Sequence, residues 1–293
     1  MFSTQLSGIL SALASAFVWG SGDFAGGLAA RRINHFQVVA LSAMAGLILN
    51  VLAALLLREP FPSPVTIAWA CAAGLSGAVG VAYLYRGLST GSAAVVAPTS
   101  GVVAAIIPVI VGSLLEGLPG GAQLVGILVG LAGIYLVSRP HPAASNNSGQ
   151  NLAGGGAARG RSEFPLALAA GAGFGGFFVL IAQVEADSLF APLAFSKLAA
   201  FAFGALVLIA QRRSTQSLAL NPLALLAGVL DAGGNLFYLV AVRYVTLAVA
   251  GVISSMYPAS TVILSMAFLR ERILRFQAVG VLLCLAAVAM ITL

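Results

Sequence analysis

Asp231 and Asn235 stand four residues apart in the apolar stretch AGVLDAGGNLFYLVAV, residues 227–242, and Tyr238 follows three residues later. Spacings of four and three put all three on one face of a helix. They form a stripe of carboxylate, amide and phenol that is able to bind a polar solute or exchange a proton. A charge at the centre of a membrane helix costs about 2.5–3.5 kcal/mol on the insertion scale, so such residues usually face a cavity or a partner. Asp23 repeats the pattern in the first apolar run, with Trp19 one turn before it. Lys197 lies some seven residues into another run, where its stem can snorkel to the interface. Arg86 lies near the end of a run that also holds Tyr83. Pro98, Pro108 and Pro258 are expected to break the helix hydrogen-bond ladder. Carbonyls freed beside Thr99, Ser100, Ser254, Ser255 and Tyr257 are then expected to line a pathway, since irregular backbone at membrane depth faces protein or water. The plainer alternative for Asp231 is a structural acid bonded to a neighbouring helix. Glu116 and Glu271 read as loop residues that cap or orient helices.

Other chemistries lack their residues. The chain has no HExxH, GxSxG, P-loop or His/Cys cluster, and its histidines, His35 and His141, fall in predicted loops. No metal or cofactor is expected. Cys71 and Cys284 sit singly in apolar runs, which indicates no disulfide framework. GAGFGG, residues 171–176, matches the letters of a dinucleotide fingerprint but lies in an apolar run without the strand that motif requires. Close helix packing through small residues explains it, as it explains GILVG, residues 126–130. The NNS at Asn146 matches a glycosylation sequon, but the Arg-, Ala- and Gly-rich composition is of bacterial style.

These residues must be positioned by membrane helices. Of 293 residues, 60% are hydrophobic and only 8% charged, against about 25% charged in a soluble domain. Nucleic acid is not an expected partner; the lipid bilayer is. Splitting the apolar runs at charges, Pro and Gly clusters predicts ten spans: residues 6–30, 36–57, 66–88, 92–115, 120–138, 164–186, 190–211, 223–242, 247–269 and 276–293. The first has no basic n-region and reads as a retained span. Residues 139–163, RPHPAASNNSGQNLAGGGAARGRSE, are polar, rich in small residues and without periodicity, and read as a linker. The organisation is thus a first five-helix unit over 1–138, the linker, and a second unit over 164–293.

The two units are diverged copies. The segment from Tyr83, YLYRGLSTGSAAVVAPTSGVVAAIIPVIVGSLLEG, lies without a gap on the segment from Tyr238, YLVAVRYVTLAVAGVISSMYPASTVILSMAFLRER, pairing Glu116 with Glu271 at an offset of 155. A one-residue slip near Pro119 then pairs Gln123 with Gln277 and Gly126 with Gly280. Because five is odd, the second copy crosses the membrane in the opposite sense. The predicted class is an all-α membrane protein of ten transmembrane helices in two inverted five-helix repeats, the design of many secondary transporters.

FVWGSGDF in the first span, and SSMYPASTVILSMAFLRERILRFQAVGVLL with Pro258, Glu271 and Gly280 at their spacings, resemble the EamA-type members of the drug/metabolite transporter superfamily. The first copy departs from that pattern, with Val103 where the second has Pro258. The resemblance implies a central cavity lined by the first, third, fourth, sixth, eighth and ninth spans, with Trp19, Asp23, Tyr83, Ser100, Asn235 and Tyr257 facing it.

Together these readings predict a secondary active transporter of a small organic metabolite or drug, working by alternating access and coupled to protons or another gradient. A membrane-embedded enzyme on a lipid-linked substrate and a non-transporting scaffold or receptor are the alternatives, and the inverted repeat argues against both. A single chain and a homodimer are both compatible with the sequence. Odd-numbered connections carry eleven of the thirteen arginines, against Arg58 and Arg243 on the even side. The positive-inside rule then places both termini outside the cytoplasm, in a bacterial inner membrane, whereas the family resemblance implies cytoplasmic termini; the residue count is followed here. The linker offers no core to bury, so deleting residues 145–154 is expected to leave membrane insertion intact. Loss of the inserted protein from membrane fractions of the deletion strain would refute that.

Overall fold

The computed structural model describes residues 2–30, 32–90, 93–138, 156–185, 187–210, 221–269 and 274–291. Among them the regular structure is helical: α1 (Phe2–Ala30), α2 (His35–Leu56), α3 (Pro64–Thr90), α4 (Ala93–Glu116), α5 (Gly121–Val137), α6 (Gly156–Ile181), α7 (Phe190–Ala210), α8 (Pro222–Ala241), α9 (Leu247–Ser254), α10 (Tyr257–Leu269) and α11 (Arg275–Ile291). The ten predicted spans are present, with α9 and α10 together forming the ninth. Seven spans have the length and hydropathy to cross a bilayer on composition alone. α5 and α11, at 17 residues each, meet the lower limit for a span. α1 is long, and its Ser, Gly and Asp23 positions lower its hydropathy.

Local signals place the helix starts. Asn34 caps α2 by accepting from the Phe36 N–H at 2.9 Å. Asn221 caps α8 through the Leu223 and Ala224 N–H groups, ahead of Pro222, whose fixed φ suits the first helical turn. That start sets Asp231 ten residues into a 20-residue helix, near the membrane centre. Two expectations are corrected. His35 opens α2 and does not lie in a loop. Residues 156–163, read as linker, belong to α6, because Ala157, Ala158, Arg159, Arg161 and Glu163 favour helix.

The prolines also act differently from expectation. α4 runs unbroken through Pro98 and Pro108, whereas the ninth span breaks at Ser255 and Met256, just before Pro258. The Pro108 ring lies against Gly251 of α9, where a Cβ would come within 2.6 Å of the Pro108 Cβ. Pro258 has no N–H for the carbonyl of Ser254, one turn earlier. The remaining bonds at the break are short-turn ones, Met256 N–H to Ile253 and Ala259 N–H to Met256.

The packing obeys a two-fold relation between the halves. α1 packs on α8 as α6 packs on α3; α4 meets α6 as α9 and α10 meet α1; α3 meets α7 as α8 meets α2. The α2–α7, α5–α11 and α4–α9 pairs are their own counterparts. Corresponding helices traverse the membrane in opposite directions, so the axis that exchanges them lies in the membrane plane. Reciprocal glycine contacts give the register. A Cβ on Gly126 would strike Ile291, and one on Gly280 would strike Val137, both partners shifted by 154 residues. Gly74 lies against the Ser196 backbone as Gly228 lies against that of Ser42, with the same shift. GAGFGG serves packing: Gly171 and Gly175 sit on α4, and Gly173 and Gly176 on α3.

A Cβ on Gly228 or Gly74 would overlap a carbonyl group of the facing helix, while one on Gly27 meets nothing within 4 Å. Gly228→Ala and Gly74→Ala are therefore expected to destabilise the fold by about 1–3 kcal/mol each. Gly27→Ala should be neutral or stabilise by up to about 1 kcal/mol, since alanine is the better helix former. Thermal unfolding in one detergent would compare the three, and equal midpoints would refute the proposed role of backbone contact.

Candidate transport cavity

A cavity of about 570 Å³ lies between the halves. At its inner end stand Trp19 of α1, Phe178 of α6 and Asn235 of α8. From there its lining runs through Gly27 at the end of α1, Val38 at the start of α2, Leu84 of α3, Ser138 after α5 and Gln277 near the start of α11. These positions all adjoin odd-numbered connections. Among the described residues, the cavity extends toward the face that carries the odd-numbered connections.

The opposite face is shut by three sets of contacts. Trp19, Phe178 and Tyr238 form an aromatic plug, with ring centroids 4.8–5.8 Å apart, in the tilted geometries that aromatic pairs favour. The Tyr238 hydroxyl donates to the Phe178 carbonyl at 3.1 Å, and Trp19 Nε1 donates to Asn235 Oδ1 at 3.1 Å. Glu59, in the connection after α2, accepts from the N–H groups of Leu189, Phe190 and Ala191 at 2.8–3.1 Å. Glu116, at the end of α4, accepts from the Leu247 N–H at 2.8 Å. Each acid belongs to the first half and caps a helix of the second, where the positive end of the helix dipole favours a carboxylate. Arg243 completes the closure by donating to the Ser188 carbonyl at 3.0 Å. Glu116 is thus a helix cap; Glu271 lies outside the described residues.

Asp231 and Lys197 form an ion pair between α8 and α7. The pair is lopsided: the lysine side chain is 8% exposed and the aspartate 42%. The ammonium is buried behind the carboxylate, which faces the cavity. Lys197 therefore does not snorkel, because a counter-ion at its own depth holds it. Asp23 also lines the cavity and is exposed to it, and its charge interacts with that of Asp231 and with Tyr257.

The structure brings Trp19, Asp23, Asn235, Asp231, Lys197 and Tyr257 together around this space, with Ser100 beside them. Four other expected residues lie elsewhere. Tyr83 is 38% exposed and is not among the residues that line the cavity. Tyr238 is fully buried in the plug. Ser254 is buried and donates to the Ala12 carbonyl at 3.4 Å, and Ser255 is buried in the break; the chain turns there against α1, so neither lines the cavity. Arg86 lies in α3, and its side chain is outside the described residues. The lining also draws on spans beyond the six expected, through Ser42 of α2, Ser138, Ser196 of α7 and Gln277, because α2 and α7 pair across the two-fold axis. Sequence reasoning missed these and the wall of Phe174, Phe177 and Phe178. The aromatic signal lay inside the glycine motif, whose packing role masked it. Thr261, one turn beyond Tyr257, also lines the cavity and donates to the Gly20 carbonyl at 3.0 Å.

The family model for EamA-like transporters matches residues 6–139 and 162–293. The chain belongs to the EamA-like transporter family. The sequence has no significant match among curated proteins. A solved structure described only as the crystal structure of a protein matches it with a TM-score of 0.71 at 20% identity, over 97% of this chain and 96% of that one. At that identity the likeness establishes the fold alone. As an EamA-like family member the chain is a multi-pass integral membrane protein of a transporter family, and the two family matches coincide with the two helical repeats.

In this EamA-like chain the ion pair sets the outcome of substitution at position 231. Asp231→Asn preserves shape but leaves the buried Lys197 without its counter-ion. Removing one partner of such a pair is expected to destabilise the fold by about 3 kcal/mol. Lys197→Met combined with Asp231→Asn should recover most of that loss. Equal unfolding midpoints for the single and double variants would show that the pair carries no stabilising coupling.

Proposed function

We propose that the chain is a secondary active transporter of a small organic metabolite or drug, working by alternating access between its two halves and driven by a proton or other solute gradient. The observation that supports this is a cavity at the interface of two inverted repeats that, among the described residues, extends toward one face while contacts shut the other. The two-fold relation gives each helix contact on the shut face a counterpart position on the open face. Rocking one half against the other exchanges the two arrangements and carries the cavity contents across.

Asp231 is the binding or proton-coupling group in this reading, because its carboxylate is the face of the ion pair that solute and water reach. Trp19, Asn235, Ser100 and Tyr257 supply the remaining contacts. The positive-inside count puts the odd-numbered connections in the cytoplasm of a bacterial cell. The cavity then faces the cytoplasm in this state, with both termini outside. A cysteine placed at the N-terminus should react with an impermeant thiol reagent in intact cells.

Flux of labelled metabolites in proteoliposomes, with and without a pH gradient, tests the function. The wild-type chain is expected to accumulate its solute only with the gradient. The balanced Lys197→Met, Asp231→Asn variant is expected to insert but to lose most gradient-driven uptake. If that variant transports at the original rate with the same pH dependence, Asp231 has a structural role only.

A further inference from the structure

The charges of the cavity narrow the solute. Among the described residues the ionisable groups lining it with a formal charge are Asp23, Asp231 and Lys197. Lys197 neutralises Asp231 through the ion pair. Asp23 has no hydrogen bond and no counter-ion among the described residues, and it is open to the cavity. When Asp23 is ionised, its charge has no balance among the described residues, and a cation of equal magnitude is favoured beside it.

A second observation points to a ligand independently. Asn235 is 2% exposed, and its Oδ1 is satisfied by Trp19, but its Nδ2 has no partner. Buried amide donors are nearly always paired, so this one awaits an acceptor atom. Trp19 and Asp23 are one turn apart on α1, a rise of about 6 Å. The free donor and the free carboxylate are thus separated by a span suited to one small molecule. Trp19, Phe177 and Tyr257 line the space between and around them, and aromatic faces attract organic cations.

We propose, building on the transport reading of this cavity, that it takes an organic monocation with an apolar ring and a hydrogen-bond acceptor, the cationic centre at Asp23 and the acceptor at Asn235. Dications and anions are disfavoured by the same charge balance. The buried Lys197 is not a free anion site, because its ammonium is already paired with Asp231.

The test uses three probes of one shape: 4-methoxybenzylammonium, 4-methoxybenzyl alcohol and 4-methoxybenzoate. The chain has two tryptophans, and Trp69 faces outward at 38% exposure, so Trp69→Phe leaves Trp19 as the sole reporter. In nanodiscs, Trp19 fluorescence is expected to respond saturably to the cation, with the alcohol and the benzoate at least about tenfold weaker, as expected when one charge-assisted contact is lost. Asp23→Asn should weaken the cation by a similar factor, and Asp23→Glu should retain it. Asp23 makes no hydrogen bond among the described residues and its charge faces that of Asp231, so Asp23→Asn should unfold at or above the wild-type midpoint, and that measurement separates lost binding from lost folding. Equal affinity for cation and alcohol, or tighter benzoate binding, overturns the proposal. Flux of the labelled cation in proteoliposomes distinguishes the two readings. Specific cation binding without flux leaves this site standing and sinks the transport reading. Flux of neutral or anionic solutes that is unchanged in Asp23→Asn upholds transport and sinks the monocation.

Discussion

Two helices approach closely enough for backbone contact only where one of them carries no side chain at the crossing, and the joining of the two halves depends on that contact. Gly74 on Ser196 and Gly228 on Ser42 bring the third and eighth helices against the seventh and second. Gly126 and Gly280 do the same for the fifth and last spans. Lipid tails are as apolar as leucine, so burial of hydrocarbon gives little net drive for association in a bilayer, and close packing must supply it. The reciprocal pairs explain why the contact scheme is unchanged when the halves are exchanged. They also explain why the cavity lies where it does: the glycine crossings hold the periphery of the interface together, while larger side chains such as Trp19 and Phe177 keep its middle apart.

Electrostatics then decides what that middle tolerates. A lone lysine ammonium at the depth of Lys197 would be expensive, and Asp231 on the next helix removes most of that expense. Such a pair fixes α7 against α8 within the second half. It leaves the interface between halves free of ionic ties at membrane depth among the described residues. Ties between the halves occur at the shut face instead, where Glu59 and Glu116 each bind the N-terminus of a helix from the other repeat. These contacts lie near water, where breaking them costs less than breaking an ion pair at depth.

Much of the architecture was legible in the sequence because a bilayer enforces long apolar runs and because duplication left a readable offset. The spacing of Asp231 and Asn235, and of Trp19 and Asp23, put those residues on the correct helix faces, since turn spacing is a local property. The counter-ion of Asp231 was not legible. Lys197 is 34 residues away, and only the α7–α8 packing joins them. Tyr83 and Tyr238 occupy equivalent sequence positions, yet one is exposed and the other is buried in the plug; the repeat fixes their register but not the side chains opposite them. The prolines show the same limit. Pro108 and Pro258 both remove a backbone donor, yet α4 runs unbroken through the first and the ninth span is interrupted just before the second.

The difference between Val103 and Pro258 has a structural consequence of its own. An inverted repeat of identical halves has no intrinsic reason to prefer opening toward one side. Here the fourth span is continuous while the ninth is split into two segments. The first segment, α9, is buried along its whole length on the shut side, and α10 carries Tyr257 and Thr261 along the cavity. The break thus separates a part of the span that seals from a part that lines. No such division is present in α4, so the two halves contribute unlike fourth spans to the interface. The break coincides with Pro258 in the second copy, where the first has Val103.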